Sequence, residues 1–136
     1  MSFDGYIFYS FNQTIYENGA KNENSNIIHF KFLEYQFLLI RDAVSANKKD
    51  ILDKYRLGNI TFLKVWHHGS KTSSSKYFVD KPKISIISVG EENIDLHPNK
   101  EAVNNLESSE IFWTDTMGSI EIKIREKCSI GTYAPY

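Results

Sequence analysis

The sequence holds a single cysteine, Cys128, no excess of either charge and no apolar run of membrane length. One thiol cannot close an internal disulfide, so the chain is not one of the small folds held together by cystine bridges. Sixteen Lys and Arg stand against seventeen Asp and Glu, a net charge of -1 at pH 7. That balance excludes a global field drawing the chain to nucleic acid or an anionic membrane, and leaves such contacts to local patches. The longest apolar runs, such as Phe37 to Ile40, fall far short of the ~20 residues that cross a bilayer. The opening stretch "MSFDGYIFYSF" has neither the basic segment nor the long apolar segment of a secretion signal. These absences set the expectation of a cytoplasmic protein with no membrane partner.

What is present suits one ordinary domain. The 136 residues are 41% hydrophobic and 14% aromatic, enough for a real core. Strand-like patterns run over Tyr6 to Phe11, Ile27 to Leu33, Gln36 to Ile40, Thr61 to Trp66, Ile84 to Val89, Ile111 to Thr114 and Ser119 to Ile124. Helical spacing appears at Lys48 to Tyr55, at Ser74 to Asp80, and at Lys100 to Leu106 behind an "HPN" turn. "LEYQF" reads as a hairpin with Tyr35 and Gln36 at its tip, and the polar residues 12–26 read as a surface loop. No repeat or long linker divides the chain. The order of segments predicts an α/β fold with a mixed sheet, in which strand and helix alternate through the C-terminal two thirds.

Four histidines and one aspartate invite a chemical reading. His29, inside "NIIHFKF", reads as a structural strand histidine. "LKVWHHGSKTSSS" runs a strand into His67 and His68 and then into a Gly-Ser loop, the position at which α/β folds present reactive groups. Neighbours on an extended chain point to opposite sides, so one of the pair faces a site and the other supports it. Asp42 closes the strand "QFLLIRD", as a helix cap or as a metal ligand. His97, before Pro98, is either a turn residue or a proton donor. The hydroxyls and lysine of Ser70, Lys71, Thr72 and Ser73 suit either a plain surface loop or a cradle for phosphate.

In order along the chain, "ENSNIIHFKF", "FLLIRD", "LKVWHHGSKTSSS", "KPKISIISVGEENIDLHPNKEAVNNL" and "WTDTMGSIEIKI" resemble the C-terminal half of a metallo-β-lactamase-fold hydrolase. The nearest resemblance is to the soluble hydrolase domain of late-competence DNA-uptake proteins. It covers residues 24–124, with 1–23 a variable strand and loop and 125–136 a tail, all within a single domain. The resemblance implies half of an αββα sandwich and a dinuclear zinc or manganese site. Asp42 would bridge the metals, His67 with or without His68 would ligate one, and His97 would approach a scissile phosphate. The implied chemistry is metal-assisted hydrolysis of a phosphodiester.

The sequence also departs from that pattern. The family's H-x-H-x-D-H motif has no counterpart in the 136 residues, and Arg41 stands where the family carries glycine before the aspartate. Asp42, His67 and His68 alone offer two or three ligands, fewer than a catalytic zinc site commonly takes from both halves. The expectation is a truncated or degenerate hydrolase-like protein, inactive alone and linked to competence. Two alternatives stay open: a subunit of a split phosphodiesterase, or a non-enzymatic module that binds nucleic acid or protein. All three expect a homodimer or a partner that supplies the missing half.

Overall fold

Runs of aromatic and β-branched residues pay little penalty for extended backbone and pack well on a pleated surface, and most of the chain's strands form where such runs occur. The computed structural model describes residues 2–3, 6–11, 27–40, 59–65, 82–90, 98–125 and 127–133. Nine strands lie among them: β1 (Ser2–Phe3), β2 (Tyr6–Phe11), β3 (Ile27–Phe32), β4 (Tyr35–Ile40), β5 (Phe62–Lys64), β6 (Ile84–Ile87), β7 (Glu110–Trp113), β8 (Ser119–Ile124) and β9 (Cys128–Tyr133). Two helices accompany them, α1 (Lys100–Asn104) and α2 (Thr114–Met117).

Strands β1 to β7 form one sheet in sequence order. The pairs from β1 to β4 are antiparallel, and those from β4 to β7 are parallel. The β3–β4 turn comes two residues earlier than its sequence suggests. Phe32 pairs with Tyr35, which leaves Leu33 and Glu34 at the tip instead of Tyr35 and Gln36. Leu33 has φ 51°, the positive φ that a two-residue hairpin turn demands, and a costly one for leucine. Aromatic packing holds this register: Phe30 stacks on Phe37 at 4.5 Å and Phe37 on Phe62 at 4.7 Å. With the tip at Tyr35 and Gln36, Phe30 would oppose residue 41 and lose that stack.

Strand alternation sends Ile27, Leu38, Ile40, Leu63 and Ile87 to one face, where they form the buried core with Val65 and Val89. Leu106, just past α1, and Ile111 of β7 pack against it. Helix α1 begins where Asn99 Oδ1 accepts the Glu101 N–H at 2.9 Å, and Ala102 is its buried residue. The opposite face carries Phe30, Phe37 and Phe62, with Ile28 and Leu39, an opposed pair, left exposed at 38% and 36%.

The expected α/β half-sandwich with strand–helix alternation is corrected by this architecture. Among the described residues the chain is mostly strand, and its helices are only five and four residues long. The helix read over Lys100 to Leu106 stops at Asn104, with Asn105 at its C-cap and Ser108 and Ser109 beyond, residues that favour turns over helix interiors. α2 is ended by Gly118, whose φ of 69° and ψ of -139° lie where only glycine sits without strain. Beyond it, alternating isoleucines make β8, which pairs with β9 as a separate antiparallel hairpin. The helices read at Lys48 to Tyr55 and Ser74 to Asp80, and the loop at 12–26, lie outside the described residues.

Candidate functional site

Parallel pairing from β4 to β7 puts four strand ends on one edge of the sheet. Leu39 lies beside Lys64, Lys64 beside Ile86, and Ile87 beside Trp113. The connections carrying the sequence-predicted residues leave from this carboxyl edge: Asp42 follows β4 by two residues, His67 and His68 follow β5, and His97 lies on the connection after β6. Open parallel sheets present ligands at such an edge. Asp42, His67, His68, Ser70, Lys71, Thr72, Ser73 and His97 themselves lie outside the described residues. Among the described residues no group of three or more His, Cys, Asp or Glu is arranged to hold a metal ion.

Three described groups shape the edge. Lys64 extends its ammonium to the carbonyl of Ile40 at 3.4 Å, tying β5 to the end of β4. Thr114 clamps β7 to β6: its hydroxyl accepts from the Val89 N–H at 2.9 Å and donates to the Val89 carbonyl at 2.7 Å. That one side chain continues the ladder past the last backbone rung between Ile87 and Trp113. Next to it, in the first turn of α2, Asp115 has its Oδ1 buried with no hydrogen-bond partner. Sequence reasoning quoted this aspartate within "WTDTMGSIEIKI" without giving it a role. Its signal was weak, because a carboxylate after a strand more often caps a helix, and orphaning is a product of tertiary packing.

Away from the edge, His29 Nε2 lies 3.2 Å from Gln36 Oε1 across the β3–β4 pair. Burial pulls the imidazole pKa down and the Gln36 contact only partly restores it, which favours the neutral ring. Mid-strand placement and a partner on the adjacent strand fit the structural reading of this histidine.

At the opposite, amino end of the parallel strands lies an open cleft of about 590 Å³, between the aromatic face and β9. Phe62, Ile84 and Phe112 line it from the sheet, and Cys128 and Ile130 from the hairpin, with Tyr35 at one side. Burial, followed by the charge of Glu34, pushes the Cys128 thiol up, so it stays protonated and is a poor nucleophile. Burial and the Glu34 carboxylate also raise the Tyr35 phenol.

No family model matches the chain, and no solved structure matches it. Two characterised proteins do. The chain is 27% identical over 121 residues to ComE operon protein 3 of Bacillus subtilis, an alignment covering 86% of the chain and 15% of that protein. It is 38% identical over 76 residues to Recombination protein 2 of Haemophilus influenzae, covering 54% of the chain and 9% of that protein. The chain is thus distantly similar to a competence protein and a recombination protein, and spans a small fraction of the length of each.

Proposed function

We propose that the chain is a competence-linked, metallo-hydrolase-like domain that handles nucleic acid at the carboxyl edge of its parallel strands. The observation that carries this reading is the common edge from which the connections bearing Asp42, His67, His68 and His97 all depart. The distant similarity to ComE operon protein 3 and Recombination protein 2 supports the competence link.

The donor types fit a divalent ion. Carboxylate and imidazole suit zinc or manganese. When bound, such an ion polarises a phosphoryl oxygen and activates water toward phosphorus. The chain's own groups have separate tasks: Asp42 and His67 would hold the ion, with His68 as a further candidate ligand. His97 supplies or takes a proton at the phosphodiester, and Ser70, Lys71, Thr72 and Ser73 bind non-bridging phosphate oxygens.

The domain is incomplete as a catalyst without the H-x-H-x-D-H ligands, so a partner or a further polypeptide segment completes it. The test is hydrolysis of bis-p-nitrophenyl phosphate with Mn²⁺ or Zn²⁺, by the chain alone and with a polypeptide carrying the missing motif. Activity only in the mixture, abolished by Asp42→Ala, is the expected result. Activity in neither, together with DNA binding that collapses as salt rises, would replace the hydrolase reading with a binding module.

A further inference from the structure

We propose that the cleft between the sheet and the β8–β9 hairpin is a slot for a nucleobase of single-stranded nucleic acid; this deepens the nucleic-acid reading above and rests on it. The slot lies at the amino end of the parallel strands, away from the carboxyl edge, and its walls are all described residues.

Two apolar layers face each other here without closing. The hairpin register sets Ile120 beside Thr132, Ile122 beside Ile130 and Ile124 beside Cys128, so these six residues share one face. The other face is polar: Glu121 pairs with Lys123 at 2.9 Å and accepts from the Tyr133 hydroxyl at 2.6 Å. Cys128, Ile130 and Thr132 meet Phe62, Ile84 and Phe112 of the sheet across about 590 Å³. None of the six hairpin residues is buried. Packed sheet layers interdigitate and leave no such gap.

The walls suit a planar ring. Phe62 is buried beneath the floor, whereas Phe112, Ile84 and Tyr35 are only half-buried and keep surface in the cleft. The Cys128 backbone hydrogen-bonds the Tyr35 phenol, which ties the hairpin to the sheet on that side. Every base has a π-face to lay on such side chains, whatever its sequence context. The mouth supplies the polar half of a nucleotide, with Lys83 and Glu110 exposed there. The ammonium suits a backbone phosphate. The carboxylate only accepts, so it favours cytosine or adenine, whose exocyclic amino groups donate, over thymine, which has none. An aliphatic side chain from a protein partner would fill the same space and use neither charge.

The experiment uses the full 136-residue chain, whose one cysteine lies in the slot. Its alkylation by iodoacetamide at alkaline pH therefore reports occupancy at a single place. Short oligo-dC, oligo-dT and an abasic strand of equal length are titrated by fluorescence anisotropy, and the Cys128 alkylation rate is followed with each. Oligo-dC is expected to bind more tightly than oligo-dT, and both more tightly than the abasic strand. Both should slow alkylation in proportion to the fraction bound. Phe112→Leu, which keeps an apolar side chain, should lose roughly 5- to 150-fold in affinity for the base-bearing strands. Lys83→Met should lower the salt slope by ~0.7, Glu110→Gln should narrow the preference for dC, and Ser129→Ala on the polar face of the hairpin should change nothing. The abasic comparison and the alkylation readout need only wild type, so they stand even where a variant fails to fold. Equal affinity for the abasic strand with Cys128 unprotected overturns the slot and leaves the nucleic-acid reading intact. No binding of any strand by wild type overturns both. Protection of Cys128 by a Phe- and Ile-rich peptide, and by no oligonucleotide, would make the cleft a protein-docking groove and overturn the proposal.

Discussion

Replacing Thr114 with valine removes one oxygen and almost no volume, so it isolates the clamp between the ends of β6 and β7. In the native fold that oxygen serves the N–H and the carbonyl of Val89 at 2.9 and 2.7 Å, and Val89 is buried in the core. Each hydrogen bond contributes a net ~0.5–1.5 kcal/mol, and a buried backbone group left unpaired costs about 1–3 kcal/mol. Thr114→Val is therefore expected to destabilise the fold by about 1–3 kcal/mol. For a chain of 136 residues the unfolding entropy is roughly 0.3 kcal/mol per kelvin, so the melting temperature falls by roughly 3–10 °C. Thr114→Ser keeps the hydroxyl and is expected to recover most of the loss. Urea unfolding of the three proteins gives the comparison directly. A Thr114→Val protein within ~0.3 kcal/mol of wild type, or a serine variant no better than the valine one, would refute the clamp.

Two further expectations concern titration. Alkylation of Cys128 by iodoacetamide should show a pH midpoint above that of an unperturbed thiol, since burial and then Glu34 raise it; Glu34→Gln should bring it partway down. A midpoint at or below that of a free cysteine peptide contradicts the buried setting. His29 titrates lower in the folded chain than the ordinary 6.5, so the unfolded chain binds more protons and stability rises with pH across that window. Its contribution is present above 6.5 and is lost as pH falls below 6.5 toward the depressed folded value. His29→Gln should therefore flatten the difference between urea midpoints at pH 7.5 and 5.5. An unchanged slope would show that His29 is not the group responsible.

Strand alternation was legible wherever local sequence decides the outcome. β2 and β8 fall on Tyr6–Phe11 and Ser119–Ile124 as read, and β3 and β4 end within a residue of expectation. β9, "CSIGTY", has a weak local pattern and Gly131 in its middle. It is a strand because β8 offers it a partner from Ser119 to Ile124, which no short window contains. The hairpin tip was misplaced for a similar reason: the stack of Phe30, Phe37 and Phe62 spans three strands. The helix at Lys100 was visible through its Asn99 cap, but its short length came from the asparagines and serines that follow. For the candidate site, sequence placed Asp42, His67 and His68 at strand ends and His97 in a turn before a helix. Parallel register then gathers those strands on one edge, and that non-local fact is the structure's contribution. The burial of Asp115 is likewise a property of packing between α2 and its surroundings, so no spacing rule could have found it.

The switch from antiparallel to parallel pairing at β4 has a consequence in chain entropy. The β3–β4 pair closes over the two residues Leu33 and Glu34, whereas each parallel pair closes over a long connection: residues 41–61, 65–83 and 88–109. Closing a loop of about 20 residues costs ~2.7 kcal/mol in length-dependent entropy, against ~0.6 for two residues. Three such closures come to roughly 8 kcal/mol, comparable with the whole stability of an ordinary domain. All three connections start at the carboxyl edge. A ligand binding all three connections there would act as a cross-link on the most entropically expensive part of the fold and would steady the sheet.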